Sequence, residues 1–161
     1  MPDKNEFVEI IKENEGLIYK VTKVYTINEE DRQDLYQEIV YQLWKSFGSF
    51  RNEAKISTWM YRIALNTSIA WLHKEKRKGN QIPVDDSLEE KAATNDNEKE
   101  EQAVALYIAI RALDTVEKGI ILLYLEGKSY DEIAAITGFT STNVGTRLGR
   151  IRQKIKSQIN K

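Results

Sequence analysis

The sequence predicts an all-α protein: two small helical domains joined by an acidic, flexible tether. Three observations carry this. Apolar residues recur at helical spacing on either side of the chain's middle, with no strand alternation of useful length. Only 2 Pro and 8 Gly punctuate 161 residues, too few for a turn-rich β fold. The stretch 83–101 then breaks the apolar pattern. It carries Asp85, Asp86, Glu89, Glu90, Asp96, Glu98, Glu100 and Glu101 against only Lys91 and Lys99. The expected domains are 1–79 and 101–161, with 80–100 as the linker. A hydrophobic content of 41% is enough to give each a packed core.

In the first domain, Phe7, Ile10, Ile11, Leu17, Ile18, Val21 and Val24 form one apolar series, interrupted by Asn14. A second helix opens after the acidic run "NEEDRQD" and carries Leu35, Ile39, Val40, Leu43 and Trp44, until Gly48 ends it. A third is expected from about Ser57 to Lys76, with Trp59, Met60, Ile63, Ala64, Ile69 and Leu72. Its sequence interleaves aromatic, basic and amide groups: Trp59, Tyr61, Arg62, Asn66 and Trp71. Aromatic faces stack on unpaired bases, amides read base edges and cations follow phosphates, so this is chemistry suited to a single DNA strand. Asn66 costs helix propensity without an evident packing gain.

The second domain begins with a helix carrying Val104, Leu106, Ile108, Ile110 and Leu113, followed by the apolar segment "GIILLYLEG". Ser129 and Glu132 have capping-box spacing, so a helix should start after Ser129. Gly138 supplies a turn residue, and Thr140 or Ser141 can cap the next helix. In that last helix Val144, Leu148, Ile151 and Ile155 form the buried stripe. Arg147, Arg150, Arg152, Lys154 and Lys156 point elsewhere, and no Asp or Glu follows Glu132. Two helices across a short Gly turn, the second basic, match the helix-turn-helix that enters the DNA major groove. Gly145 and Gly149 fall inside this recognition helix, each at a cost of about 1 kcal/mol.

The formal net charge is −1, but the charge is segregated. The basic run "HKEKRK" at 73–78 and the C-terminal helix give local positive fields beside the acidic tether. Cysteine is absent, so disulfides and thiolate metal sites are excluded. With one His, no Gly-rich phosphate loop and no clustered metal ligands, an enzyme, a metal site or a cofactor is not expected. The N-terminus lacks a secretory signal and no segment is long enough to span a membrane, so a cytoplasmic location is expected.

The order "DLYQEIVYQLW", a short polar loop, "STWMYRIALN", a basic helix end, a linker and a C-terminal helix-turn-helix resembles the bacterial RNA polymerase sigma factors. The match is to the small two-domain, extracytoplasmic-function (ECF) group, and it covers about 5–158. The resemblance implies a sigma region 2-like domain followed by a region 4-like domain, acting without catalysis. It implies binding to core RNA polymerase, at the β′ clamp helices and the β flap, and to promoter DNA, and it leaves room for an anti-sigma factor as a further partner. Asp34, Gln37, Glu38 and Gln42 would meet the clamp helices. Asp34, Glu38 and Gln42 also share one helix side by spacing, next to the stripe of Leu35, Ile39 and Leu43. Arg62 and Asn66 would contact minus-ten bases, and Arg51, Asn52 and Lys55 would form the loop that receives a flipped base. Lys74, Lys76, Arg77 and Lys78 would touch phosphates. Thr142, Asn143, Thr146, Arg147 and Arg150 would read the minus-thirty-five element. Ile120 to Leu125 would help dock the flap tip, in competition with a core role. The alternative is a helix-turn-helix regulator acting without polymerase, which has no use for the "STWMYRIALN" block.

Overall fold

The computed structural model describes residues 3–50, 55–79 and 98–160, and the regular structure among them is helical. The series expected as one helix near the N-terminus is two, α1 (Lys4–Glu13) and α2 (Glu15–Tyr25). Asn14 divides them. Its backbone sits at φ −123°, ψ 21°, and its side-chain amide donates to the Ile10 carbonyl at 2.8 Å. That local bond competes with continuation of the helix. Helix α3 (Glu29–Phe47) starts earlier than the sequence suggested. Asn28 accepts from the Asp31 amide at 2.8 Å, so Glu29, Glu30 and Asp31 form the first turn, where negative charge suits the helix dipole.

Helix α4 (Ile56–Arg77) is the spine of the molecule. It packs on α2 and α3 on one side and on the second domain on the other. Helix α5 (Glu98–Arg111) begins within the stretch read as linker, and the rest of that stretch, 80–97, lies outside the described residues. Helix α6 (Thr115–Leu125) opens with a capping box, in which Asp114 accepts from the Glu117 amide and Glu117 from the Asp114 amide. The spacing of Asp114 to Glu117 is the same sequence signal as that of Ser129 to Glu132. Helices α7 (Tyr130–Thr137) and α8 (Ser141–Ile159) form the helix-turn-helix as expected. Ser129 and Glu132 make the capping box, Gly138 takes φ 88°, Thr140 caps α8, and Val144, Leu148, Ile151 and Ile155 are buried.

The first domain's core includes Ile18, Val21, Leu35, Ile39, Leu43, Met60 and Leu72, closed at one end by rings. Phe7 lies 5.1 Å from Trp44 and 5.4 Å from Phe47, and Phe50 lies 4.9 Å from Trp59. Each fully buried side chain of this size stabilises by roughly 1.5–3 kcal/mol. Trp59 is buried as expected, whereas Ile63 is only partly so.

The two domains meet along a seam, with α2 and α4 against α5, α6 and α7. The Tyr25 hydroxyl donates to the Thr115 carbonyl at 2.6 Å, and Arg111 donates to the Lys23 carbonyl at 3.1 Å. Lys20 pairs with Glu126 at 2.9 Å. Gly119 is the closest fit: a Cβ there would stand 3.2 Å from the Tyr25 oxygen and 3.3 Å from Leu65 Cδ2.

Candidate nucleic-acid and polymerase interface

The buried stripe of α8 turns its other side outward. Thr142, Asn143, Thr146 and Arg150 are exposed, and Arg147 is half-buried. Arg147 is held in place. Its Nε donates to Asn143 Oδ1 at 2.7 Å, and its guanidinium stacks 4.2 Å from the Phe139 ring centroid. Holding a guanidinium in this way lowers the entropy lost on binding. Arg150 makes no such bond among the described residues. Toward the helix end, Lys154 pairs with the buried Glu117 at 2.7 Å, and Arg152 stacks 4.4 Å from the Tyr124 ring centroid. Those two cations therefore fasten α8 to α6 rather than facing a ligand freely.

Helix α4 presents less. Asn66 is exposed and has no side-chain partner among the described residues. Among those residues it is not a satisfied structural amide. It lines a groove of about 570 Å³ with Thr67, Ala70, Trp71 and Lys74 on α4 and Asp34, Glu38 and Gln42 on α3. Three of the residues assigned to polymerase and two of those assigned to DNA thus share one groove. Gln42 donates to Glu38 at 3.0 Å within it. Gln37 is elsewhere, in an apolar groove with Val8, Tyr36, Val40, Tyr41 and Trp44. The four residues expected on one face of α3 therefore divide between two. Helical geometry accounts for this: Asp34, Glu38 and Gln42 advance by about 40° per step, while Gln37 lies about 60° back from Asp34.

Arg62 is on the exposed flank one turn from Asn66, yet its Nη2 donates to the Ala135 carbonyl of α7 at 2.7 Å. The residue expected to touch the minus-ten strand is engaged across the seam. Lys55 is exposed just before α4, and Lys74, Lys76, Arg77 and Lys78 form an exposed cationic end to it. Arg51 and Asn52 lie outside the described residues. The segment 120–125 is mostly core: Ile120, Ile121, Leu122 and Leu123 are buried, and only Leu125, at 50% exposure, is open to a partner. Burial lowers the Lys118 pKa to about 8; the charges of Lys76 and Arg111 push the same way, and Asp114 opposes them. Lys118 lies over the Tyr25 ring at 5.8 Å, so this buried charge belongs to the seam.

The chain matches two family profiles, Sigma-70 region 2 over residues 10–78 and Sigma-70, region 4 over residues 103–155. The RNA polymerase sigma factor SigV of Bacillus subtilis is 30% identical over 155 residues, spanning 96% of this chain and 91% of the relative. The ECF RNA polymerase sigma-E factor of Haemophilus influenzae is 28% identical over 172 residues, spanning 98% and 89%. The chain belongs to the ECF sigma factors. As a sigma factor its partners are core RNA polymerase and promoter DNA, and its family acts in initiation without catalysis. Two solved structures share the fold of this sigma factor. CnrH in complex with the cytosolic domain of CnrY aligns with TM-score 0.70 at 19% identity, covering 98% of this chain and 90% of that one. The sigma factor RpoE in complex with the anti-sigma factor NepR from Bartonella quintana aligns with TM-score 0.72 at 15% identity, covering 96% and 97%. No described helix is long and apolar enough to cross a membrane.

Proposed function

We propose that this sigma factor works in the cytoplasm and divides promoter recognition between α8 and α4. Helix α8 reads the minus-thirty-five duplex through Thr142, Asn143, Thr146, Arg147 and Arg150. Helix α4 takes the minus-ten strand through Arg62 and Asn66, with Arg51, Asn52 and Lys55 in the preceding loop and Lys74, Lys76 and Arg77 on phosphates. Asp34, Glu38 and Gln42 bind the polymerase clamp from the opposite wall of the Asn66 groove, and Gln37 does so from its neighbouring face. Binding energy to the extruded base and single strand offsets the few kcal/mol of unstacking.

The observation that carries this reading is the pairing on one chain of a duplex-reading helix with a second helix suited to a single strand. It has a geometric consequence. Elements centred near −10 and −35 are about 25 base pairs apart, or about 85 Å along the duplex. A compact chain of this length has a radius of gyration of only about 15 Å. Both elements can be occupied together only after the seam opens, and Arg62 then leaves the Ala135 carbonyl for DNA. The anti-sigma complex of the solved relative suggests a partner that would act on the same equilibrium.

Run-off transcription with core polymerase and a genomic promoter library tests the function. Promoter-specific transcripts that depend on both proteins are expected. Reversing charge at Asp34 and Glu38 should weaken core binding at least about tenfold with an unchanged far-UV helical signal. Tight, sequence-specific DNA binding without core polymerase would instead support a self-sufficient regulator.

A further inference from the structure

Gly145 sits inside the continuous recognition helix, and the reason is visible next to it. A Cβ on Gly145 would stand 3.2 Å from Tyr130 Cε2 and 3.6 Å from Tyr130 Cδ2. The space a side chain would take is filled by the Tyr130 ring. Tyr130 is the first residue of α7, and it stays 40% exposed although its ring is seated on α8. Its hydroxyl has no partner among the described residues. One turn along, Gly149 has nothing within 4 Å of a Cβ position. By helical geometry, 145 and 149 lie about 40° apart and border Thr142 and Thr146 on one flank of the reading face. Tyr130 is thus the side chain that furnishes a flank of α8 otherwise bare. The carboxylates beside it are occupied. Asp131 accepts from the Ser141 hydroxyl, and Glu132 accepts from the Ser129 amide at 3.0 Å.

In a helix-turn-helix the second helix lies in the major groove with its N-terminal residues at base edges, while the first crosses the sugar–phosphate backbone. Tyr130 belongs to the first helix and rests on the N-terminal half of the second, so it stands at the groove's rim. We propose that Tyr130 is a DNA contact of this domain: its hydroxyl donates to a phosphate oxygen of the upstream duplex, and Gly145 is the seat that keeps the ring in place. A neutral donor matches an acceptor-only phosphate and adds no charge next to Asp131. The proposal rests on the reading of α8 as the minus-thirty-five helix.

The test is promoter-duplex binding by the sigma–core holoenzyme. Tyr130→Phe keeps the ring on Gly145 and removes only the donor, so it should weaken binding by more than about tenfold, as loss of one hydrogen bond to a charged group does. The loss should be equal on parent and base-substituted upstream elements. The slope of affinity against salt should stay unchanged, because a neutral contact releases no counterion. Gly145→Ala should also weaken binding by displacing the ring, yet cost nothing in a Tyr130→Ala background, since Ala is the better helix former. Wild-type affinity for Tyr130→Phe overturns the proposal, and so does a loss confined to one base pair, which would make Tyr130 a base reader. Arg150→Ala serves as the control. If it also binds as wild type, the assignment of α8 to the upstream element fails, separately from the claim about Tyr130.

Discussion

Helices α8 and α4 are of similar length, 19 and 22 residues, but they are held in opposite ways. Helix α8 buries one stripe of four residues and leaves its reading face exposed, with Arg147 already braced by Asn143 and Phe139. Helix α4 buries eight residues distributed around its axis. Of its two candidate strand contacts, Arg62 is bound across the seam and Asn66 faces the carboxylates of α3. On the proposed division of labour, the upstream reader is ready in the packed form and the strand-capturing helix is not. Duplex recognition gains from preformed geometry, whereas on the proposed reading strand capture follows separation of the domains on polymerase. On the proposed reading the bond from Arg62 to the Ala135 carbonyl, one of several ties across the seam, links capture to that separation.

The largest expected effect splits these roles. Asn66→Ala removes a base-edge amide and should slow the appearance of permanganate-reactive thymines about tenfold or more, within the roughly 1–3 kcal/mol of one such contact. The closed complex should be spared. Arg62→Ala should slow melting too, but it also releases the seam, so the free protein should expand in small-angle scattering, which Asn66→Ala should not cause. Equal scattering profiles for the two variants would break the comparison, and normal melting by both would remove α4 from the strand-capture role.

The sequence made α8 legible nearly residue by residue, because an amphipathic helix with one buried stripe declares itself through spacing. The capping box at Ser129 and Glu132 and the turn at Gly138 are equally local signals, and they stand as expected. The Asn14 break was less legible, since it turns on one side-chain bond to the Ile10 carbonyl. The division of Gln37 from Asp34, Glu38 and Gln42 could have been read from the helical repeat alone. What spacing could not supply was any contact between one helix and another. The tie of Arg62 to Ala135, the fit of Gly119 against Tyr25 and the seat of Tyr130 on Gly145 join residues at least 15 positions apart. Exposed polar residues carry no periodic mark of the partner they will meet.

A smaller effect sharpens the comparison through pH. In the packed form Lys118 has a pKa of about 8, against an ordinary 10.5. Below pH 8 it is protonated in both forms, and its burial opposes packing in full. Between pH 8 and 10.5 the packed form binds fewer protons than the open one, so packing should strengthen as pH rises. Lys23 acts in the same direction, its pKa lowered by burial and by Arg32 and Arg111. Energy transfer between dyes on the two domains, followed from pH 7 to 9.5, should report closure on the alkaline side. Lys118→Met should flatten that profile and favour the packed form at pH 7, because a buried charge gives way to an apolar chain of similar shape. A flat profile in the parent protein would remove Lys118 from the seam's energetics.

The smallest effect concerns how firmly the seam is shut. The bond from the Tyr25 hydroxyl to the Thr115 carbonyl is short and part-buried, and burial of the ring raises the tyrosine pKa, so the donor keeps its proton throughout the neutral range. Tyr25→Phe keeps the ring against Gly119 and Lys118 but leaves the Thr115 carbonyl without this donor. A loss of about 1 kcal/mol is expected, or a fall of about 2–4 °C in melting temperature for a chain of this size. The partly exposed pair of Lys20 and Glu126 should matter less, and Glu126→Gln should cost under about 0.5 kcal/mol. Because the lost bond belongs only to the packed form, Tyr25→Phe should also speed association with core polymerase by about fivefold where opening limits the rate. Reduced melting temperature with unchanged association would mean that opening is not on the path to the holoenzyme. Faster association would show that α4 is released before polymerase engages it, while α8 waits with its reading face already formed.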